Sequence, residues 1–455
     1  MPIWQLCANL LIPNCLRSNL SYSPLAALEL YVKDMKILWI TNILFPEAEK
    51  NLKQCGELRT SGGWMLASAE NLLLIDDNIQ LYVATVSILV SDLKIIKGDR
   101  IIYYVIPLGK GNTHINRDYD KYWKSIFDEI KPDVTHIHGT EFSHGFSYLK
   151  TCGNDNVLIS IQGLTSVYYH YFNSGINSRT ILRNITFIDL YSRSTIFQQK
   201  RAMALRGQYE RLMLENVNHI IGRTSWDKAH TWAINPNAKY HFCNETLRRE
   251  FYQGCWEYNK CIKHTIFISQ SSTPIKGLYQ LLKAMPLVLR HYPDTKIRIG
   301  GWNPTENNTL RQKLRLSGFG KILRQYIKKH SLDSSIYFLG NLNAEEMKSE
   351  FLSANVFVMP SSIENSPNSL GEAQLLGVPC VVAYVGGVHD MVPNSDCGIL
   401  YRFDEIEMLA HSICDIFEKS KNFDNSQMRR IANERHDAEN NAKTLLKIYN
   451  NIKKR

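Results

Sequence analysis

The chain has 455 residues, which is too long for one ordinary hydrophobic core and predicts two or three domains. Its hydrophobic content of 44% and charged content of 21% are typical of a soluble globular protein. The net charge of +10 suits anionic partners such as phosphates, acidic lipids or nucleic acid, and is equally explained as mild basicity that only aids solubility.

Cysteine spacing and apolar runs exclude three further classes. The ten cysteines are scattered without a Cys-x-x-Cys pair or an accompanying histidine cluster, so we expect reduced thiols and neither a disulfide framework nor a zinc site. No stretch reaches the ~18 apolar residues that a membrane-spanning helix needs. We therefore expect a cytoplasmic protein.

The first 34 residues lack a clear pattern. The apolar stretch "LCANLLIP" is interrupted by Asn9 and ended by Pro13, no compact cationic region precedes it, and no clean small-residue cleavage site follows. We therefore do not predict a signal peptide here. We interpret residues 1–34 as a poorly ordered extension, with translation starting at Met35.

The first half of the chain alternates strand and helix patterns. Helices are predicted, for example, at residues 64–74 and 122–131. Short β-branched or aromatic runs bounded by turn residues predict strands at residues 36–43, 79–88, 134–139, 157–163 and 219–225. This repetition predicts a mostly parallel sheet covered on both faces.

The second half repeats the scheme, with helices predicted at residues 277–292 and 344–354. Strands are predicted at residues 264–270, 296–301, 336–341, 356–362 and 379–387. The resulting division is an N-terminal domain over residues 35–255, a C-terminal domain over residues 256–425, and a last helix over about 426–453 that can pack back on the N-terminal domain, within a C-terminal segment 426–455. We therefore predict an α/β protein with two Rossmann-like domains facing each other across a cleft, with ligands at the carboxyl ends of the strands.

The stretch "IENSPNSLGEAQLLGVP" places two carboxylates, Glu364 and Glu372, on either side of a turn. Pro367 disfavours helix at the preceding residue, so a loop follows the strand and a helix begins near residue 368 and ends at Gly377. The N–H groups of three residues would then be free at a helix N-terminus, which is a phosphate site: Asn368, Ser369 and Leu370. Carboxylates on either side suit the vicinal hydroxyls of a sugar, although Glu372 could instead only favour the helix dipole.

With these residues the chain resembles the retaining glycosyltransferases of the GT-B fold, group 4. The family carries an E-x7-E motif followed by "EA…G.P.V", which here reads Glu364, Glu372, Ala373, Gly377, Pro379 and Val381. The resemblance implies that Glu364 contacts hydroxyls of the donor sugar, that Glu372 binds the nucleotide ribose, and that the amides between them hold the diphosphate. It covers most of residues 35–450.

Lys276, in "TPIKGL", directly precedes a predicted helix in the second half. A lysine there suits a leaving diphosphate, whose negative charge grows as the glycosidic bond breaks. The family has this Lys-Gly pair together with an arginine five residues earlier, and that position here is Ser271. Arg248 or Arg249 could supply the missing charge.

Histidines end the strand "VTHIHG". His136 and His138 share one face of that strand, and the resemblance implies that His138 faces the transferred sugar or the incoming acceptor. His144 is a weaker candidate. A histidine at a strand end can equally be structural.

Several small or polar residues complete the predicted site. The resemblance implies that Gly62 and Gly63, in "SGGW", lie near the acceptor and, for Gly63, the donor phosphate. It places Gly386 and Gly387 beside the donor sugar, followed by Asp390. Asn244 is where the family has an Asn-Gly pair near the hinge, but Glu245 replaces the glycine here.

Residues 167–211 mix aromatic residues with arginines and fall on the acceptor side of such a fold. The hypothesis is that this segment lies on an anionic membrane and admits a lipid-linked acceptor. The alternative is an ordinary helical insertion with solvated arginines. Localisation would then be cytoplasmic, with or without peripheral attachment to the inner membrane face.

The predicted function is transfer of a hexosyl unit from a nucleotide-diphosphate sugar to a hydroxyl of a glycan or lipid-linked oligosaccharide, with retention. No Asp-x-Asp metal site is evident, so we expect no metal and no other cofactor. The alternatives are a GT-B sugar-nucleotide epimerase or hydrolase, and a non-catalytic nucleotide-sugar-binding protein. Nucleic acid is not an expected partner, because the basic residues form no known binding module.

Overall fold

The computed structural model describes residues 34–53, 63–108 and 117–453. The expectations for residues 1–33 and for Gly62 lie outside the described residues. Within them, no helix is long and apolar enough to cross a membrane.

The first sheet contains eight strands in the described part of the chain: β1 (Met35–Thr41), β2 (Ile79–Ser87), β3 (Lys94–Lys97), β4 (Ile101–Pro107), β5 (Val134–His138), β6 (Val157–Ser160), β7 (His219–Gly222) and β8 (Lys239–Phe242). Their order is β3-β4-β2-β1-β5-β6-β7-β8. All neighbours are parallel except β3, which pairs antiparallel with β4.

The helices of this half follow the strands: α1 (Pro46–Leu52), α2 (Gly63–Ile75), α3 (Arg117–Ile130), α4 (Ser143–Cys152), α5 (Thr165–Tyr168), α6 (Ser178–Arg183), α7 (Phe187–Tyr191), α8 (Ile196–Glu215) and α9 (Ser225–Ile234). Hydrophobic clusters cover both faces of the sheet. This burial on both faces is why its inner strands, such as β1 and β4, are largely apolar.

The second sheet is parallel throughout, in the order β11-β10-β9-β12-β13-β14. Its strands are β9 (Thr265–Ile268), β10 (Lys296–Gly300), β11 (Ile336–Gly340), β12 (Val356–Met359), β13 (Cys380–Ala383) and β14 (Ile399–Tyr401). Its helices are α10 (Leu278–His291), α11 (Leu310–Arg315), α12 (Gly318–Lys329), α13 (Ala344–Ser353), α14 (Asn368–Leu376), α15 (Ile406–Lys419), α16 (Ser426–Arg435) and α17 (Ala438–Lys453). The predicted α/β fold with two Rossmann-like parallel-sheet domains is confirmed.

The prediction of a single closing helix over 426–453 is wrong, because the helical conformation is interrupted between α16 and α17. The carbonyl of His436 accepts a hydrogen bond from the Tyr252 hydroxyl at 2.5 Å, and the buried His436 ring bonds to the carbonyl of Glu245 at 2.8 Å. The Asp437 carboxylate then accepts from the amide of Asn440 at the start of α17. Helix α17 lies against the first sheet, where the Tyr449 hydroxyl accepts from the Trp39 indole at 3.0 Å.

Residues 171–196, the crossing segment, belong by packing to the second domain. Phe172, Ile176, Ile181 and Ile196 are buried in the cluster on one face of the second sheet. The amide of Gly318, at the start of α12, donates to the Asp189 carboxylate at 2.8 Å. The prediction that all of residues 167–211 fall on the acceptor side is therefore corrected for residues 171–196, because their apolar side chains complete the core of the second domain.

Candidate active site

A cavity of about 610 Å³ lies between the N-terminal and the C-terminal domain. This volume suits a small-molecule ligand. From the first half of the chain it is lined by Gly63, Trp64, Gln162, Arg223, Glu245 and Arg248. From the second half, its polar lining includes Lys276, Glu364, Ser366, Asn368, Ser369 and Glu372. The structure therefore brings Gly63, Lys276 and both glutamates of the E-x7-E motif into one cavity.

The loop after β12 aims the start of α14 into this cavity. The amide of Ser362 donates to the carbonyl of Ile275 at 2.8 Å, which joins the loop to the turn that carries Lys276. Pro367 occupies the N-cap position without a side-chain cap, and α14 ends at Gly377 in the left-handed region, with φ 75°. Both ends of the helix lie where the sequence predicts them.

Of the three N–H groups predicted to be free at the start of α14, one is hydrogen-bonded and two have no acceptor in the part of the chain that the structure describes. Among the described residues, nothing accepts a hydrogen bond from the N–H groups of Asn368 and Ser369. The N–H of Leu370 donates to the carbonyl of Pro367 at 3.0 Å, and its side chain is fully buried. Leu370 is therefore not a free donor, because the first turn closes tightly on Pro367 and leaves two amides for an anion.

Lys276 and Glu364 form an ion pair inside the cavity. The Lys276 Nζ donates to Glu364 Oε1 at 2.7 Å. Gly277, with φ 75°, lets the turn after Lys276 lie against the loop after β12, because a Cβ there would overlap the carbonyl oxygen of Pro360. The Lys-Gly pair thus places a cation beside the first acid of the motif.

Arg248 forms a bidentate pair with Glu372, the second acid. Its Nε and Nη2 donate to the two carboxylate oxygens at 2.7 and 2.8 Å. Burial raises the pKa of Glu372, and the Arg248 guanidinium opposes that shift. Arg249 instead pairs with Glu70 at the surface, 2.7 Å away. Of the two arginines considered from the sequence, Arg248 is the one that reaches the cavity.

Ser271, where the family has an arginine, is fully buried and does not line the cavity. Its hydroxyl finds no partner in the part of the chain that the structure describes, and neither do the Gln162 amide nitrogen and the Arg223 Nε. Gln162 and Arg223 do line the cavity. Buried polar atoms without partners are uncommon, and both of these donors belong to side chains of the cavity wall.

His138 lies behind the cavity wall and does not line it. Its ring packs 3.7 Å from that of His136 and 4.3 Å from that of Trp39, measured between centroids. Burial, with a smaller contribution from the Arg223 charge, lowers the pKa of His138 to about 3. Direct contact with the transferred sugar therefore does not follow from this geometry. His144 is also buried, and burial lowers its pKa to about 4.

We expect His138→Gln to flatten the acid side of the stability profile. The folded His138 stays neutral down to a pKa of about 3, whereas an unfolded histidine takes a proton near 6.5. Between these values the unfolded state binds an extra proton, so stability is present above pH 6.5 and falls as the pH falls. The expected change is a slope smaller by about 1.4 kcal/mol per pH unit. Urea unfolding between pH 7.5 and 5 measures it, and an unchanged slope below pH 6.5 would contradict the neutral ring.

At positions 244 and 245, it is Glu245 and not Asn244 that contributes a side chain to the cavity. Asn244 does not line the cavity, whereas Glu245, where the family has glycine, does. Glu245 forms a buried ion pair with Arg223, and burial raises the pKa of Glu245. The sequence signal was the departure from Asn-Gly itself, which placed a charge where the family has none.

Gly386 and Gly387 act on the motif loop and are not part of the cavity lining. Gly386, with φ 53°, packs against the backbone of Glu364, and the amide of Gly387 donates to the carbonyl of Glu364 at 3.1 Å. The Gly387 N–H is therefore already used to hold the loop. Asp390 accepts from the Ser225 hydroxyl at 3.1 Å and so connects the two domains.

Asn365, inside the E-x7-E motif, was missed from the sequence. Its Oδ1 accepts from the Thr224 hydroxyl at 2.6 Å, and its Nδ2 donates to the Asp227 carboxylate at 2.9 Å. Thr224 and Asp227 belong to the first domain, at the start of α9. The residue that follows the first motif acid therefore joins the domains beside the cavity.

Over the described residues, no group of three or more histidine, cysteine, aspartate or glutamate side chains could hold a metal ion. The independence of the reaction from metal stays a prediction.

The cavity wall that carries the motif belongs to a region with known relatives. Residues 262–444 match the family described as glycosyl transferases group 1. This group 1 domain includes Lys276, Glu364, Glu372 and the start of α14. It contains the second sheet and reaches into α17.

Curated relatives match part of their length. The chain is 27% identical to the D-inositol 3-phosphate glycosyltransferase of Corynebacterium urealyticum over 187 residues, which are 39% of this chain and 41% of that relative. The chain thus spans about two fifths of the length of the first curated relative it matches.

Solved structures match almost the whole chain. Sucrose-phosphate synthase from Thermosynechococcus elongatus aligns with a TM-score of 0.66 and 15% identity over 92% of this chain and 99% of that one. Anabaena HepE in complex with UDP aligns with a TM-score of 0.59 and 13% identity over 92% of this chain and 100% of that one. At these identities the likeness establishes the fold, which is GT-B.

Proposed function

We propose that the protein is a retaining glycosyltransferase that moves a hexosyl unit from a nucleotide-diphosphate sugar to a hydroxyl of a glycan or lipid-linked oligosaccharide, in polysaccharide or glycolipid biosynthesis. One observation carries the proposal: a single cavity contains an open helix N-terminus flanked by the Lys276–Glu364 and Arg248–Glu372 pairs. The group 1 domain supports it. The UDP bound to the structurally similar HepE fits the same nucleotide chemistry.

The donor would bind along the start of α14. The amides of Asn368 and Ser369 hold the diphosphate, because a helix N-terminus carries partial positive charge and free N–H groups. Glu372 accepts hydrogen bonds from the ribose hydroxyls, one turn into the helix. Glu364, on the loop, accepts from hydroxyls of the donor sugar.

In the reaction, the bond between the sugar C1 and the diphosphate oxygen breaks while a bond from C1 to the acceptor oxygen forms. The acceptor proton passes to the departing diphosphate oxygen, so no side chain need act as a strong base. Lys276 stabilises the negative charge that grows on that oxygen. Closure of the domains, joined at Asn365 and Asp390, would exclude water and align the two oxygens with C1.

Arg248 would supply the second cation that Ser271 cannot. When the ribose takes the oxygens of Glu372, the guanidinium of Arg248 is freed to turn toward the diphosphate in the same cavity. A planar guanidinium suits this because it binds phosphate oxygens in bidentate fashion. Its pairing with Glu372 compensates both charges.

The test is incubation with a panel of nucleotide sugars, with and without free and lipid-linked oligosaccharide acceptors, followed by NMR of the products. The proposal predicts an acceptor-dependent glycoside that keeps the donor's anomeric configuration, formed equally in EDTA. Isomerised nucleotide sugar without acceptor would instead indicate an epimerase, and free sugar a hydrolase. Binding of a nucleotide sugar without any turnover would favour the non-catalytic alternative, which the Ser271 departure keeps open.

A further inference from the structure

Six large apolar side chains are exposed on three helices: α6 and α7, which follow one another in the chain, and α11. They are 60–79% exposed: Leu182, Phe187, Leu190, Tyr191, Leu310 and Leu314. Helix α7 contacts α11, and the rings of Phe187 and Tyr191 stack at 6.1 Å between centroids. Both halves of the chain contribute to these six residues. Together with the cations beside them, they are called the apolar–basic face.

The cations of this face are exposed and numerous: Arg179, Arg183, Arg193, Arg311, Lys313 and Arg315. None of them forms an ion pair with another described residue. The acid of the three helices, Asp189, is buried, and its carboxylate accepts from the amides of Gly318 and Thr186. The outward charges carried by α6, α7 and α11 themselves are therefore all positive, and one neighbouring acid, Glu306, lies beside α11, where its carboxylate accepts from the Gln312 side chain at 3.0 Å.

Apolar tips surrounded by uncompensated cations fit a bilayer that contains acidic lipids. Aromatic and leucine side chains enter the boundary between headgroups and acyl chains, while arginine and lysine reach the lipid phosphates. A second copy of this chain is disfavoured, because its own face would bring like charges together. Nucleic acid is disfavoured because it would leave the six apolar side chains against phosphates.

We propose that the apolar–basic face docks the protein on an anionic lipid bilayer. Helices α6 and α7 lie in the crossing segment, and α11 lies in the second domain. The docked surface therefore includes the place where the crossing segment packs on the second domain. The crossing segment is thereby held on the second domain. If the proposed function is correct, this position lets a lipid-linked acceptor reach the cleft from the bilayer surface.

Vesicle flotation of the full chain tests the proposal. Wild-type protein should float with vesicles of phosphatidylcholine and phosphatidylglycerol, remain unbound with phosphatidylcholine alone, and be released by salt. A triple variant, Phe187→Ser, Tyr191→Ser and Leu314→Ser, should reduce the bound fraction at least tenfold. So should a charge variant, Arg183→Gln, Arg311→Gln and Arg315→Gln.

Two control variants, with two substitutions each, carry changes of the same kind elsewhere. Leu74→Ser with Trp232→Ser removes two apolar side chains that are each 69% exposed, and Arg402→Gln with Arg430→Gln removes two surface charges. Both should float as wild type does, and unchanged melting temperatures show that each variant folds. Wild type that stays unbound to acidic vesicles, or face variants that float normally, would overturn the proposal. Nucleotide-sugar binding in solution should be the same in all variants, so a failure of the proposed function is seen separately.

Discussion

Lys276→Gln is expected to lower kcat by roughly 10²–10³ with little change in the KM for the donor. Glutamine can still donate to Glu364, which lies 2.7 Å from the lysine nitrogen, so the carboxylate keeps a partner. What is lost is the positive charge that stabilises the departing diphosphate. Because this charge acts most strongly in the transition state, the effect should appear in kcat.

Steady-state kinetics with the donor found in the panel measure this change. Lys419→Gln is the control, since Lys419 forms a 2.6 Å pair with Asp415 and does not line the cavity. The control should keep wild-type kinetics. A Lys276→Gln enzyme with wild-type kcat would show that Lys276 only positions the loop of Glu364.

Arg248→Met is expected to destabilise the protein by about 3–5 kcal/mol at pH 8, because it leaves the buried carboxylate of Glu372 without its cation. Glu372 is 4% exposed. Arg298→Met is the matched control, since Arg298 also makes a bidentate pair, with Glu350 at 2.6 Å within the second domain, but in a more exposed position. Its expected cost is about 1 kcal/mol.

Urea unfolding measures both variants. The double variant Arg248→Met with Glu372→Leu should recover most of the lost stability, because no buried charge remains, and should still fail to bind donor. If Arg248→Met cost no more than Arg298→Met, the pair would be a surface contact and not a compensated buried site.

The sequence predicted the motif region well because its signals are local. Pro367 and Gly377 set the ends of α14 through their own backbone preferences, and Lys276-Gly277 reads as a turn before a helix. The alternating strands and helices predicted the parallel centre of both sheets for the same reason, but β3, β4, β8 and β14 were not predicted. The short edge strand β3, with a lysine at each end, carries too weak a pattern to be seen.

Other features depend on contacts between residues far apart in the chain. The pairing of Arg248 with Glu372 joins positions 124 residues apart, and the break at His436 depends on a hydrogen bond from Tyr252. Spacing cannot show that His138 packs behind the cavity wall, nor that the crossing segment completes the core of the second domain. In each case tertiary packing decides where the residue lies, and the local backbone preferences of the sequence do not predict it.

Within the motif itself, local sequence preferences did not predict that the Leu370 N–H is already hydrogen-bonded. A helix N-terminus leaves several N–H groups unbonded, but the tightness of its first turn decides how many face a ligand. Here the bond from Leu370 to Pro367 leaves two, on Asn368 and Ser369. Under the proposed function, these two amides together with Lys276 and Arg248, which line the same cavity, would give a diphosphate four donor groups.

Calorimetric titration of the nucleotide-sugar panel into wild type, Glu372→Gln and Glu350→Gln tests the central claim, that this cavity binds a nucleotide-diphosphate sugar, most directly. Glu350 is a matched control because it also pairs with an arginine in the second domain but lies outside the cavity. We predict that at least one nucleotide sugar binds wild type and Glu350→Gln with the same Kd, and binds Glu372→Gln at least tenfold more weakly. A wild type that binds no member of the panel, or a Glu372→Gln variant that binds as tightly as wild type, would contradict the assignment of the cavity.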